Sequence, residues 1–204
     1  QREVRDIDEV AFREGQVRAK FYGEMLVPEE GHFLQHTKVS GVESDELISH
    51  DIAAAVVERS SQDVLYIIGP GTTTLAIEKE IGVEGTLLGV DAIHAGKLVC
   101  ADASAEQLLA LLQQYEEAEI FVTAIGGQGH VLGRGNQQLS PEVVRAVGLE
   151  NFHIVAGKGK ISALEGRPLL VDSNDPVLDD EMSGYRRGVT GYQDEILYPL
   201  ATSS

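Results

Sequence analysis

Glycines and hydroxyls cluster at three points of this 204-residue sequence, and each point is suited to holding an anion or a sugar. The first is Gly69-Pro70-Gly71 followed by Thr72, Thr73 and Thr74. Residues 64–68 before it form a short apolar, β-branched run that reads as a buried strand, and residues 75–81 after it read as a helix. A glycine turn between a strand and a helix aims free backbone N–H groups at one spot, where the helix dipole favours negative charge. Phosphate is the obvious anion, with Gly69, Gly71, Thr72, Thr73 and Thr74 as its ligands. The same residues also suit a plain tight bend whose threonines cap the helix.

The second point is Gly89-Val90-Asp91. Asp91 could bind a ribose hydroxyl, hold magnesium or act as a base, and it could equally cap the next segment. The third is the densest polar stretch in the chain, residues 123–138. Gly126, Gly127, Gly129, Gly133 and Gly135 let backbone approach a ligand closely. Arg134 supplies a planar cation suited to phosphate or carboxylate. Gln128, Asn136, Gln137 and Gln138 add amides able to read a base or sugar. A mobile surface loop is the alternative for this stretch. Lys158 and Lys160, in Gly157-Lys158-Gly159-Lys160, either add charge for a phosphate or are merely solvated. No Walker loop, dinucleotide fingerprint or nucleophile elbow is present. His32 and His36 stand at helical spacing, but with no cysteine or third ligand nearby they read as loop histidines, and no metal site is expected.

These points need elements to position them. Residues 17–27 alternate apolar and polar, and with 4–8 and a turn at Glu14-Gly15-Gln16 they predict an antiparallel pair at the start. Residues 28–42 read as loop. Residues 44–60 predict an amphipathic helix capped by Ser44, with Leu47, Ile48, Ile52, Ala55 and Val56 on one face. Further strands are expected at 86–90, 97–100, 119–124 and 151–156. Helices are expected after the capping box Ser104-Ala105-Glu106-Gln107 and after Ser140-Pro141. Residues 185–190 and 195–200 predict a hairpin. The whole reads as α/β, a central parallel sheet with covering helices, flanked by antiparallel β segments at both chain ends. In such a sheet ligands bind beyond the carboxyl ends of the strands, where all three points would lie.

Composition narrows the partners. The formal charge is -17, from 33 acidic and 16 basic residues, which disfavours nucleic acid and anionic membranes. No apolar run approaches the ~20 residues of a membrane span. A single cysteine, Cys100, excludes an internal disulfide and suits a reducing compartment, so a cytoplasmic protein is expected. Homo-oligomerisation is left open. The chain starts at Gln1 without methionine and almost at once enters a strand-like run. The expectation is a fragment whose N-terminal part precedes Gln1.

Residues 65–74, 87–91, 126–141 (Gly-Gly-Gln-Gly-His-Val-Leu-Gly-Arg-Gly-Asn-Gln-Gln-Leu-Ser-Pro) and 189–192 together resemble the ATP-NAD kinase family, including its polyphosphate/ATP-NAD kinase-like members, which are related to acetoin-catabolism accessory proteins. The resemblance covers nearly the whole chain in the right order and maps it to the C-terminal part of such proteins. It implies a C-terminal ligand-binding domain that serves transfer of a phosphoryl group from ATP or polyphosphate to NAD or a related nucleotide, with Mg2+. By this resemblance Asp91, Gly126, Gly127, Gln128, Gly129, Arg134, Asn136 and Gln137 would bind the nucleotide. In NAD kinases the active site lies between two domains, and the essential aspartate sits in a Gly-Gly-Asp-Gly-Thr loop of the N-terminal one. That loop does not occur in these residues, so no catalytic base is assigned and this stretch alone is expected to be inactive. The α/β pattern also departs from the mainly β C-terminal domain of well-studied NAD kinases. Two other readings stay open: a sugar-phosphate isomerase or deaminase with Asp91 as proton-transfer base, and a non-catalytic nucleotide-sensing module.

Overall fold

The computed structural model describes residues 2–7, 19–25, 41–125 and 127–203. The expected turn at 14–16, the loop histidines His32 and His36, and Gly126 lie outside the described residues. Two compact units divide the chain, 1–39 and 40–204. In the first, β1 (Arg2–Ile7) and β2 (Ala19–Met25) pair antiparallel, with Arg2 opposite Met25 and an irregularity between Val4 and Arg5. This is the antiparallel pair that alternation predicts.

The second unit holds a nine-stranded sheet and six helices among the described residues. In chain order these are α1 (Gly41–Glu58), β3 (Leu65–Ile68), α2 (Thr72–Ile81), β4 (Asp91–His94), β5 (Lys97–Cys100), α3 (Ala105–Leu112), β6 (Ala118–Val122), β7 (His130–Leu132), α4 (Pro141–Val147), β8 (Phe152–Val155), α5 (Lys158–Ser162), β9 (Leu169–Val171), α6 (Pro176–Met182), β10 (Gly184–Gly191) and β11 (Asp194–Thr202). The strand order is β5-β4-β3-β6-β8-β10-β11-β9-β7. β3, β6, β8 and β10 run parallel, and β7, β9 and β11 form a second parallel set. The β10–β11 hairpin joins the two sets, and β4 and β5 extend the first edge antiparallel. The fold class is the expected one, α/β with antiparallel strands at the ends.

Both faces of the central strands are covered, which is why their sequences read as continuous apolar runs rather than alternating ones. On one face, Tyr66 and Ile68 of β3 meet Ile52, Ala53 and Val56 of α1 and Ala76 and Ile77 of α2. On the other, Leu65 and Ile67 share a core with Leu108 of α3, Val143 and Val144 of α4, and Leu178 and Met182 of α6. Val131, Leu132, Leu169 and Val171, from the far end of the strand order, lie in that same core. The sheet therefore curls round its α3–α4–α6 layer. Ile125, just past β6, bridges antiparallel to His130, so the far edge strand returns beside the segment leaving β6.

Local signals account for most boundaries. Ser104 accepts from Gln107 N–H at 3.3 Å while the Gln107 side chain accepts from Ser104 N–H at 2.9 Å, the reciprocal box that the sequence predicts. Ser140 caps α4, which has Pro141 in its first turn. Some elements differ from expectation. α1 begins three residues before Ser44, and Leu47 is 67% exposed instead of facing the core. Residues 86–90 form no strand; the strand begins at Asp91, where the sequence places its end. β7 lies inside what reads as a continuous polar loop. Its three residues are too short for a periodic signal, and its partner β9 is some 40 residues further on.

Gly133 permits that last pairing. A Cβ there would fall 1.6 Å from the Asp172 carbonyl oxygen, and its φ of +87° is a left-handed conformation. Gly133→Ala is expected to lower stability by roughly 2–4 kcal/mol, read as a shift in the urea midpoint. An unchanged midpoint would mean that the β7–β9 crossing yields easily.

Candidate functional site

β3 ends fully buried at Ile68, and Gly69 N–H continues its ladder by donating to the Phe121 carbonyl at 2.8 Å. The chain then turns through Pro70 and Gly71. Gly71 has φ +137°, and a Cβ there would lie 2.4 Å from Thr123 Cγ2, so only glycine fits between β3 and the residue that follows β6. Helix α2 opens directly after it. Among the described residues no side chain caps that N-terminus, and no acidic residue stands in its first turn. The threonines divide their labour. Thr74 is fully buried and donates its hydroxyl to the Gly71 carbonyl at 3.0 Å, which braces the turn. Thr72 is exposed, and Thr73 is buried with its hydroxyl accepting from Lys160.

Lys160 is the residue that sequence reasoning underweighted. It lies on α5, just past the end of β8, and its Nζ donates to Thr73 Oγ1 at 3.2 Å and to Thr123 Oγ1 at 3.3 Å. Thus the carboxyl ends of three neighbouring parallel strands meet at one ammonium. Both partners are neutral hydroxyls, and an ammonium carries three donors. Burial pushes the Lys160 pKa below the usual lysine range, with Asp45 partly opposing the shift. An incompletely compensated cation thus stands beside an uncapped helix N-terminus. The only sequence signal for it was a lysine in a glycine loop at a strand end, a pattern that surface loops share.

Two cavities meet at Lys160. One, of about 390 Å³, runs between α1 and the first turns of α2, where Asp45, Glu46, His50, Thr72, Thr73 and Lys79 line it. The other, of about 330 Å³, is walled by Ala124, Gly127, Gly129 and Leu164. The structure therefore joins the corner at 69–74 to the glycines of the 127–129 turn. It separates them from the rest of that polar stretch. Gln128 and Arg134 face a different cavity, where Arg134 Nη1 donates to Gln128 Oε1 at 2.7 Å. Asn136 is fully buried; its side chain accepts from Gly133 N–H at 2.9 Å and donates to the Val131 carbonyl at 3.0 Å, closing the turn after β7. Gln137 is exposed.

Asp91 is also fully buried. Its carboxylate accepts from the N–H and hydroxyl of Thr86 and, at 2.7 Å, from the N–H of Asp102. It thereby ties down both the loop before β4 and the turn after β5. Beside it stands Glu78 of α2, 1% exposed, against which Gly85 packs so closely that a Cβ would overlap the carboxyl group. Burial first, then the charge of and a hydrogen bond to Asp91, push the Glu78 pKa up to about 8. Among the described residues neither Glu78 oxygen meets a hydrogen-bond donor, which agrees with a buried carboxyl that is costly to charge.

Among the described residues no group of three or more His, Cys, Asp or Glu side chains could hold a metal ion. A Mg2+ carried on a polyphosphate needs less, one or two carboxylates with the remaining positions filled by phosphate and water. Asp45 and Glu46, both on the cavity at the α2 N-terminus, meet that lower requirement. No helix among the described residues is long and apolar enough to cross a membrane.

Compared with known proteins, residues 61–200 match the family described as ATP-NAD kinase C-terminal domain. No curated protein and no solved structure matches the chain.

The Glu78–Asp91 pair makes stability depend on pH. Glu78 ionises near 4.5 when unfolded and near 8 when folded. Its contribution is full below the first value, declines as pH rises, and is gone above the second. Glu78→Gln, which cannot ionise, is expected to gain stability relative to wild type between about pH 5 and about pH 9, measured as urea midpoints. A constant difference between the two proteins would show that Glu78 is already ionised in the fold.

Proposed function

The chain belongs to the ATP-NAD kinase C-terminal domain family over residues 61–200, and from this premise we propose that it forms the ligand-binding wall of a phosphotransferase that moves a phosphoryl group from ATP or polyphosphate to NAD or a related nucleotide. The observation that carries the reading is Lys160, whose hydrogen bonds among the described residues go to the Thr73 and Thr123 hydroxyls at the mouth of three parallel strands, beside the end of α2.

In this reading a phosphate fills the missing anion position. It takes the Thr72 and Thr73 N–H groups at the helix end and the free donor of Lys160. Lys79, on the same cavity, adds a second cation. These local charges offset a formal net charge of -17 that would otherwise repel the ligand. The nucleotide extends past Lys160 into the cavity walled by Ala124, Gly127, Gly129 and Leu164. Mg2+, when bound, would neutralise charge on the phosphate oxygens, and Asp45 and Glu46 are the residues placed to hold it. Catalysis of this kind rests on positioning and charge stabilisation. The one thiol, Cys100, is unpaired, which supports a reducing, cytoplasmic setting.

Calorimetric titration of the chain with ATP, tripolyphosphate and NAD tests the proposal. At least one should bind. Lys160→Gln should weaken that ligand by about tenfold, the loss of one charge-assisted hydrogen bond, and Thr73→Val, which removes one of the two hydroxyls that hold Lys160 in place, should weaken it by less. Melting temperatures should change little, because valine matches threonine in shape. Affinity should also fall as pH rises toward the lowered Lys160 pKa. If none of the three ligands binds, or if both variants bind as tightly as wild type, the corner is only a βα turn.

A further inference from the structure

A cavity of about 500 Å³ opens at the far edge of the sheet, beside β7 and β9. It shares no lining residue with the two cavities at Lys160. We propose that this cavity, walled by Arg134, Arg167, His130 and Asp172, is a second small-molecule site that binds a sugar phosphate.

Two guanidiniums face it. Arg59, Arg145 and Arg187 each meet a carboxylate, whereas among the described residues neither Arg134 nor Arg167 does. In a chain with twice as many acidic as basic residues, two unpaired arginines on one cavity are a local reversal of the field. Both are already oriented. The Arg167 Nε donates to the Leu164 carbonyl at 3.0 Å, which leaves its two Nη groups for the cavity. Arg134 spends Nη1 on Gln128 and keeps Nη2 and Nε. Planar guanidiniums fixed in this way suit the paired oxygens of phosphate.

The other walls say more about the ligand. His130 is 6% exposed, and among the described residues its Nδ1 has no hydrogen-bond partner. An orphaned buried acceptor costs less than an orphaned buried N–H, so the ring proton belongs on Nε2. Burial and the neighbouring Arg134 lower the His130 pKa, while Asp172 opposes them; the result is a neutral donor. Asp172, exposed on the same cavity, would repel a bare anion but accepts hydrogen bonds from hydroxyls. Two cations, a neutral donor and one carboxylate describe a ligand that carries both a phosphate and hydroxyls.

The proposal does not rest on the phosphotransferase reading, and its test is separable. Ribose 5-phosphate is titrated calorimetrically into wild type, Arg134→Gln, Arg167→Gln and Lys160→Gln, with inorganic phosphate and ribose as comparison ligands. The His130 imidazole signal is followed by NMR. Ribose 5-phosphate should bind more tightly than either comparison ligand and should move the His130 signal. Each arginine variant should bind about tenfold more weakly, and Lys160→Gln should bind as wild type does. Absence of binding to the folded wild type would overturn the proposal. So would unchanged affinity in both arginine variants, or an affinity lost in Lys160→Gln with His130 unmoved, which would place the ligand in the other cleft.

Discussion

Parallel pairing of β3, β6 and β8 sets three strand ends side by side, and the polar chemistry at Lys160 depends on that registration. Ile68 lies opposite Phe121, and Val122 opposite Ile154. Within a few residues of those pairs come Thr73, Thr123 and Lys160, which are 87 and 37 residues apart in the contacts they make. A parallel strand needs a crossover before it can return, so residues that meet at its end are necessarily distant in sequence. The lack of room at Gly71 belongs to the same constraint, since Thr123 occupies the space that a side chain would need.

Charge is arranged against the average of the chain. The molecule is strongly acidic, yet cations line both polar cavities: Lys160 beside Asp45 and Glu46 in one, Arg134 and Arg167 beside Asp172 in the other. Elsewhere the arginines tie the fold together. Arg145 of α4 reaches both Asp175 and Glu181, at 2.8 and 2.6 Å, and so fastens α4 to α6. Arg134 and Arg167 differ from these, since among the described residues neither meets a carboxylate. That contrast is more informative than net charge, because a desolvated cation beside neutral hydroxyls is costly until an anion arrives.

The buried acids serve a different end. Asp91 gathers donors from residues 86 and 102, and Glu78 leans on it from α2. Asp91, which in the sequence could bind a ribose hydroxyl, hold magnesium, act as a base or cap a segment, is thus engaged in holding loops, and Asn136 is likewise engaged in closing a turn. Asn and Asp carry the same donors and acceptors whether they face a ligand or a backbone. Their identity in a glycine-rich stretch does not say which.

Local physics was legible from residue types alone. The capping box at Ser104, the proline start at 141, the buried run of β3 and the α/β class all follow from rules that act within about ten residues. The anion-suited corner at 69–74 was visible for the same reason, because a glycine turn and a helix N-terminus are adjacent in the chain. Tertiary structure decided what surrounds that corner. It paired Lys160 with Thr73 and Thr123. It placed Asp91 at the start of a strand and inside the fold. It divided residues 127–134 between two cavities by threading β7 into the sheet edge. Each of these depends on contacts across some 40 residues or more, or on which side of a turn a side chain leaves. Hydrophobic periodicity carries neither kind of information.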